Sequence, residues 1–181
     1  AQFVWGRIGA RYHEVGGPSS PLGYPKTSEM STPDGDGRYV HFENGSIYWT
    51  HETGAYLVMG DFMNLWGNEG WEKGRLGYPT SDRRDVPGGV VQDFQGGQIV
   101  KPAAGAPQVV LGAVGAAYRA GGGAEGPMGF ALTGEIDIRD GGKFQRFEHG
   151  NIYWSAASGA HGVPDGDIFD HWGSTGWENG P

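Results

Sequence analysis

The chain contains no cysteine, which excludes a small disulfide-stapled scaffold but leaves the compartment open. No apolar run approaches the ~18 residues of a membrane-spanning segment. No signal peptide opens the chain, so an exported protein would be read here in mature or trimmed form. Basic residues are few and scattered: 13 Lys and Arg stand against 21 Asp and Glu, a formal charge of −8. A nucleic-acid binder needs a phosphate-neutralising basic patch, and none is visible. The same balance disfavours anionic membranes and acidic polymers and points to a neutral partner.

Glycine and aromatic residues are plentiful instead. The 36 glycines and 11 prolines make up about a quarter of the chain, and aromatics reach 13%. Many tight turns, each pinned by a large apolar anchor, predict short strands rather than long helices.

The sequence repeats itself. Leu22-Gly23-Tyr24-Pro25 returns as Leu76-Gly77-Tyr78-Pro79 and as Met128-Gly129-Phe130-Ala131, at spacings of 54 and 52 residues. A second phrase keeps the period: Phe42-Glu43-Asn44-Gly45-Ser46-Ile47-Tyr48-Trp49, then Phe94 to Ile99, then Phe147-Glu148-His149-Gly150-Asn151-Ile152-Tyr153-Trp154. Ten and fourteen residues before each Leu-Gly position stand an aromatic and an apolar residue, Ile8/Tyr12, Phe62/Trp66 and Val114/Tyr118, with Ile168/Trp172 fitting the same rule. Such i, i+4 pairs mark one face of a short helix, which Gly67, Gly121 and Gly173 are expected to end. Asn44-Gly45 and its counterpart His149-Gly150 read as the two left-handed residues of a hairpin turn.

The units are unequal. Trp71 and Trp177 alternate with Gly17 and Gly123, and the helix aromatic alternates Tyr12, Trp66, Tyr118, Trp172. The true period is then about 105 residues, a pair of units, and predicts two different environments for successive units.

These phrases resemble the LGFP repeat of envelope proteins in mycolic-acid bacteria, where it is appended to mycoloyltransferases and cell-wall hydrolases or stands alone. The resemblance covers a partial repeat over 1–21 and repeats over 22–75, 76–127 (degenerate) and 128–181. It implies a mainly β fold with short helices: tandem, small, four-stranded antiparallel units stacked as an elongated, alternating array, with a closed pseudo-symmetric ring as the alternative. It also implies a secreted, non-catalytic module of the cell envelope that binds a neutral wall polysaccharide, arabinogalactan or peptidoglycan, beside a fused or neighbouring catalytic domain. The alternative is a spacer or protein-interaction stalk without sugar affinity.

Flat aromatic faces stack on sugar rings, so Tyr48, Trp49, Tyr153 and Trp154 are the first candidate carbohydrate contacts; the competing reading is core packing. The second unit places Lys101 where Trp49 stands, so that position is dispensable to a unit's own core. Trp71 and Trp177 lie in Gly-rich loops as anchors or stacking platforms. Glu43, Glu148, Asp82 and His161 are the polar candidates, each also readable as a turn or strand-edge residue. Tyr56 stands in the first unit where His161 stands in the third, so no shared catalytic or metal role is expected.

No cofactor, metal or catalytic residue is expected. Gly121 to Gly126 fits G-x-G-x-x-G but follows a helix instead of joining strand to helix. His51-Glu52 lacks the second histidine of a zincin helix, and Asp34-Gly35-Asp36-Gly37 is too short for a calcium loop. Glu43 and Glu148 as a glycosidase pair would need to face each other across one cleft.

Overall fold

The computed structural model describes residues 3–166 and Ser174; Ile168, Trp172, Gly173 and Trp177 lie outside the described residues. The three apolar–aromatic pairs fall on three nine-residue helices: α1 (Gly6–Glu14), α2 (Gly60–Asn68) and α3 (Gly112–Ala120). Ile8 and Tyr12, Phe62 and Trp66, Val114 and Tyr118 are all buried, as the spacing requires. α3 ends at Ala120, directly before Gly121, as expected, whereas α2 runs one residue past Gly67 to Asn68. Gly67 lies inside α2 and Gly121 has an ordinary negative φ; the left-handed residues are Gly16, Gly70 and Gly122, at φ 108°, 96° and 99°. A Cβ is disfavoured at such φ, so glycine is the residue that turns the chain here.

Each helix leads through its Leu-Gly turn into four short strands. They are β1 (Met30–Ser31), β2 (Gly37–His41), β3 (Gly45–Thr50) and β4 (Gly54–Met59); β5 (Arg84–Val86), β6 (Gly89–Phe94), β7 (Gly97–Pro102) and β8 (Gln108–Leu111); β9 (Ile136–Asp137), β10 (Lys143–Phe147), β11 (Gly150–Ser155) and β12 (Gly159–Pro164). All three sheets follow chain order with antiparallel registers. Among residues 3–166 the protein is thus mainly β, a tandem of three four-stranded sheets with three short α-helices.

The chain divides into two compact units, Ala1–Arg84 with Gln92–Gly96, and Asp85–Val91 with Gly97–Pro181. In the first, α1 shares a core with the sheet that follows it: Ile8 and Tyr12 pack with Leu22, Val40, Phe42 and Ile47. The other face of that sheet meets α2, where Tyr48 lies edge-on to Trp66 with ring centroids 4.7 Å apart. In the second unit, Val114 and Tyr118 of α3 pack with Val91, Val100 and Val110 behind them and with Phe130, Phe147 and Ile152 ahead. α1 and α3 therefore each help complete the core of the sheet that comes after them.

One bond recurs at each helix. The hydroxyl of Tyr12, the indole N–H of Trp66 and the hydroxyl of Tyr118 donate to the carbonyls of Gly23, Gly77 and Gly129 at 2.8, 3.0 and 2.8 Å. Their rings also meet equivalent phenylalanines, Phe42, Phe94 and Phe147. The Tyr/Trp alternation leaves this bond unchanged, while the surroundings differ: Trp66 also meets Tyr48 and Trp71 edge-on. Either side chain supplies one donor at the end of a large apolar ring.

The hairpins form, but by a different turn. Phe42 N donates to Gly45 O at 2.8 Å, so the loop is Glu43-Asn44, and neither residue is left-handed. The loop amides instead donate to the Leu-Gly turn, Glu43 N to Tyr24 O and Asn44 N to Leu22 O, both at 3.1 Å. Gly45 is needed for close approach: a Cβ there would stand 2.7 Å from Met59 Cγ and 2.8 Å from Val58 O.

Candidate functional site

The amphipathic α1 leaves a polar stripe opposite its buried pair. Arg7, Ala10, Arg11 and Glu14 follow i, i+3, i+4, i+7 and so share one face. That stripe forms one wall of an open cleft of about 630 Å³, and Trp49, His51, Gly54 and Ala55 from the β3–β4 hairpin form the other. Trp49 is half-buried, packed partly on the core of the first sheet while lining the cleft. Arg11 is fixed by ion pairs to Glu14 at 2.7 Å and to Asp82. The cleft thus offers one indole face beside guanidinium, carboxylate and imidazole groups. Sequence reasoning selected Trp49 but missed Arg7, Arg11 and Glu14; the helical spacing of those residues was the available signal.

Trp154 stands at the matching place in the third sheet, paired with Ala160 as Trp49 is with Ala55. Its surroundings differ. Aligning α3 on α1 puts Ala113, Ala117 and Ala120 where Arg7, Arg11 and Glu14 stand, and Ala156 replaces His51. Trp154 packs against the α3 core with Ala117 and Ala160. The two tryptophans therefore sit in chemically unlike sites.

The other aromatics serve mainly to pack. Tyr48 is buried between Tyr39, stacked at 5.1 Å, and Trp66; burial pushes its hydroxyl pKa well up. Tyr153 is half-buried and stacks on Phe144 at 5.2 Å. Trp71 lies edge-on to Trp66 at 5.3 Å and covers Gly67, yet remains 38% exposed. Its φ of 58° is a conformation that Gly17 and Gly123 hold in the matching loops. Trp177 is outside the described residues.

Glu43 and Glu148 act inside their own repeats. Their Oε2 atoms accept from Tyr24 N at 3.0 Å and Phe130 N at 2.9 Å. In the second repeat Gln95 Oε1 accepts from Tyr78 N at 2.8 Å, so the bond needs an oxygen and not a charge. Asp82 accepts from Leu57 N at 2.8 Å as well as pairing with Arg11. His161 is exposed on β12, its Nε2 2.6 Å from Ser158 O. Among the described residues no group of acidic, His or Cys side chains could hold a metal ion.

The repetition of helix donor, turn and hairpin is reflected in the family comparison: the model of the LGFP repeat matches residues 22–74, 76–126 and 128–180. The chain belongs to the LGFP repeat family. No curated protein matches it. LGFP repeats typically occur in cell-envelope proteins and form a repeat module rather than a catalytic family. Each LGFP match begins at the Leu-Gly turn, whereas the packed core begins one helix earlier.

Proposed function

We propose that this chain is a non-catalytic, secreted module that holds a protein to neutral cell-wall polysaccharide, arabinogalactan or peptidoglycan, with the Trp49 cleft as its main contact. The observation that carries this reading is the half-buried Trp49 ring lining an open cleft whose other wall is the polar stripe of α1. An indole face covers the apolar side of a sugar ring while neighbouring polar groups fix hydroxyls. Weak contacts on tandem repeats would gain strength along a repetitive polymer through effective concentration.

Co-sedimentation with insoluble wall and with fractionated wall polymers tests this. The wild-type chain should sediment, and a folded Trp49→Ala variant should be retained markedly less. Absence of sedimentation by the wild type would instead support a spacer. The observation favouring that second reading is that Tyr48, Glu43, Glu148 and Asp82 are all engaged in packing or internal hydrogen bonds.

A further inference from the structure

Among the three described loops, only Trp71 puts a side chain where Gly17 and Gly123 stand, and the fold makes two concessions to keep it. Trp71 holds φ 58°, against 56° and 61° for the two glycines. A side chain is strained at such an angle, and the other two loops turn without one. The second concession lies inside α2. Gly67 takes the helix position that His13 fills in α1 and Arg119 in α3. A Cβ on Gly67 would stand 2.6 Å from Trp71 Cζ2, so the helix gives up a side chain to seat the ring.

Neither concession produces a sealed core. The indole lies edge-on to Trp66 and against Gly67, yet stays 38% exposed. It is fixed on its inner side and open to solvent elsewhere. The next residue, Glu72, is only 9% exposed and has no hydrogen bond or ion pair among the described residues. A carboxylate withdrawn from water in this way needs a donor. A sugar hydroxyl is one, and an indole face suits the apolar side of the ring that carries it.

We propose that the Trp71–Glu72 turn is a second polysaccharide contact, the indole stacking on a sugar ring while Glu72 accepts from one of its hydroxyls. This rests on the wall-binding reading given above. Tyr48 and Trp49 point to opposite faces of the first sheet, as neighbours on a strand do. Trp66 and Trp71 lie on the Tyr48 side, and the cleft lies on the Trp49 side. The two contacts thus engage separate stretches of polymer and reinforce each other through effective concentration.

Co-sedimentation of the full chain with insoluble wall tests this, together with hydroxyl-radical footprinting read by mass spectrometry. Trp71→Gly supplies the residue that the other two loops carry at this φ, so the turn should still form. Its wall affinity should fall about tenfold, as truncating an aromatic anchor does. Trp71→Phe keeps a flat ring and should retain most of the affinity, whereas Glu72→Gln should weaken binding several-fold. Soluble fragments of the same wall should protect the wild-type Trp71 ring from oxidation. A wild-type chain that does not sediment removes the wall reading, and this contact with it. If the wild type sediments, a Trp71→Gly variant that binds equally well, or a Trp71 ring left unprotected, overturns this contact alone. Glu72→Gln binding like wild type strikes the carboxylate from it. Should Trp71→Gly fail to fold, the protection of Trp71 in the wild type decides.

Discussion

At the scale of single residues, a large ring with one polar atom is used where either tyrosine or tryptophan will serve. Tyr118 is buried and its hydroxyl is the donor to the Gly129 carbonyl. Tyr118→Phe keeps the ring and removes the donor, which should cost about 1–3 kcal/mol in chemical denaturation. Trp49 and Trp154 invite the opposite comparison, since their rings are equivalent and their neighbours are not. In wall sedimentation Trp49→Ala should weaken binding more than Trp154→Ala, while Trp154→Ala should lower the melting temperature through lost packing on the α3 core. Sequence alone located both tryptophans but could not rank them. The difference lies in Arg7, Arg11 and Glu14 against Ala113, Ala117 and Ala120, and their relevance appears only once the helix is laid beside the hairpin.

At the scale of elements, the sequence announced the helices and hairpins but not how one is fastened to the next. Buried Gln92 donates from Nε2 to the carbonyls of Leu57 and Ser81 at 2.7 and 3.0 Å. Gln145 likewise donates to Val109 and Thr133 at 2.8 and 2.7 Å. The first repeat has Val40 at this place, so no single pattern betrayed the role. Gln145→Val should leave both carbonyls unpaired and destabilise by about 1–3 kcal/mol, read as a lower urea midpoint. The hairpin turn misled for a related reason. Asn-Gly signals left-handed residues only when the local turn decides, and here the loop amides are claimed by the Leu-Gly turn. The Tyr78 hydroxyl, which donates to Asp34 Oδ1 at 2.7 Å, adds an acid sensitivity. Burial alone would raise the Asp34 carboxyl, but hydrogen bonds from Thr32, Tyr78 and the Asp36 amide hold it below its ordinary value. A carboxyl depressed on folding stabilises fully above its unfolded value and loses that contribution as pH falls through the folded one. Melting temperatures should therefore fall in acid below about pH 4, and Tyr78→Phe should flatten that limb.

At the scale of the molecule, the three sheets of the described residues share one strand order and differ in what they display. Within a chain of formal charge −8, the cleft gathers Arg7, Arg11 and His51 with Glu14. α1 lies before the matched repeat at residues 22–74, yet Ile8 and Tyr12 belong to the core of the first sheet. Ile8→Ala, at a residue 1% exposed, should cost about 2–5 kcal/mol. Limited proteolysis should then cut first within residues 22–59.

That order also has a consequence in time. Synthesis runs from the amino terminus, so each nine-residue helix is made before the strands it will cover. For the first and third sheets the growing chain carries α1 and α3 as cover in advance. One side of such a sheet can be covered as soon as its last strand appears, which shortens the time its apolar strands can pair with a neighbour's edge, while the other side waits for the next helix.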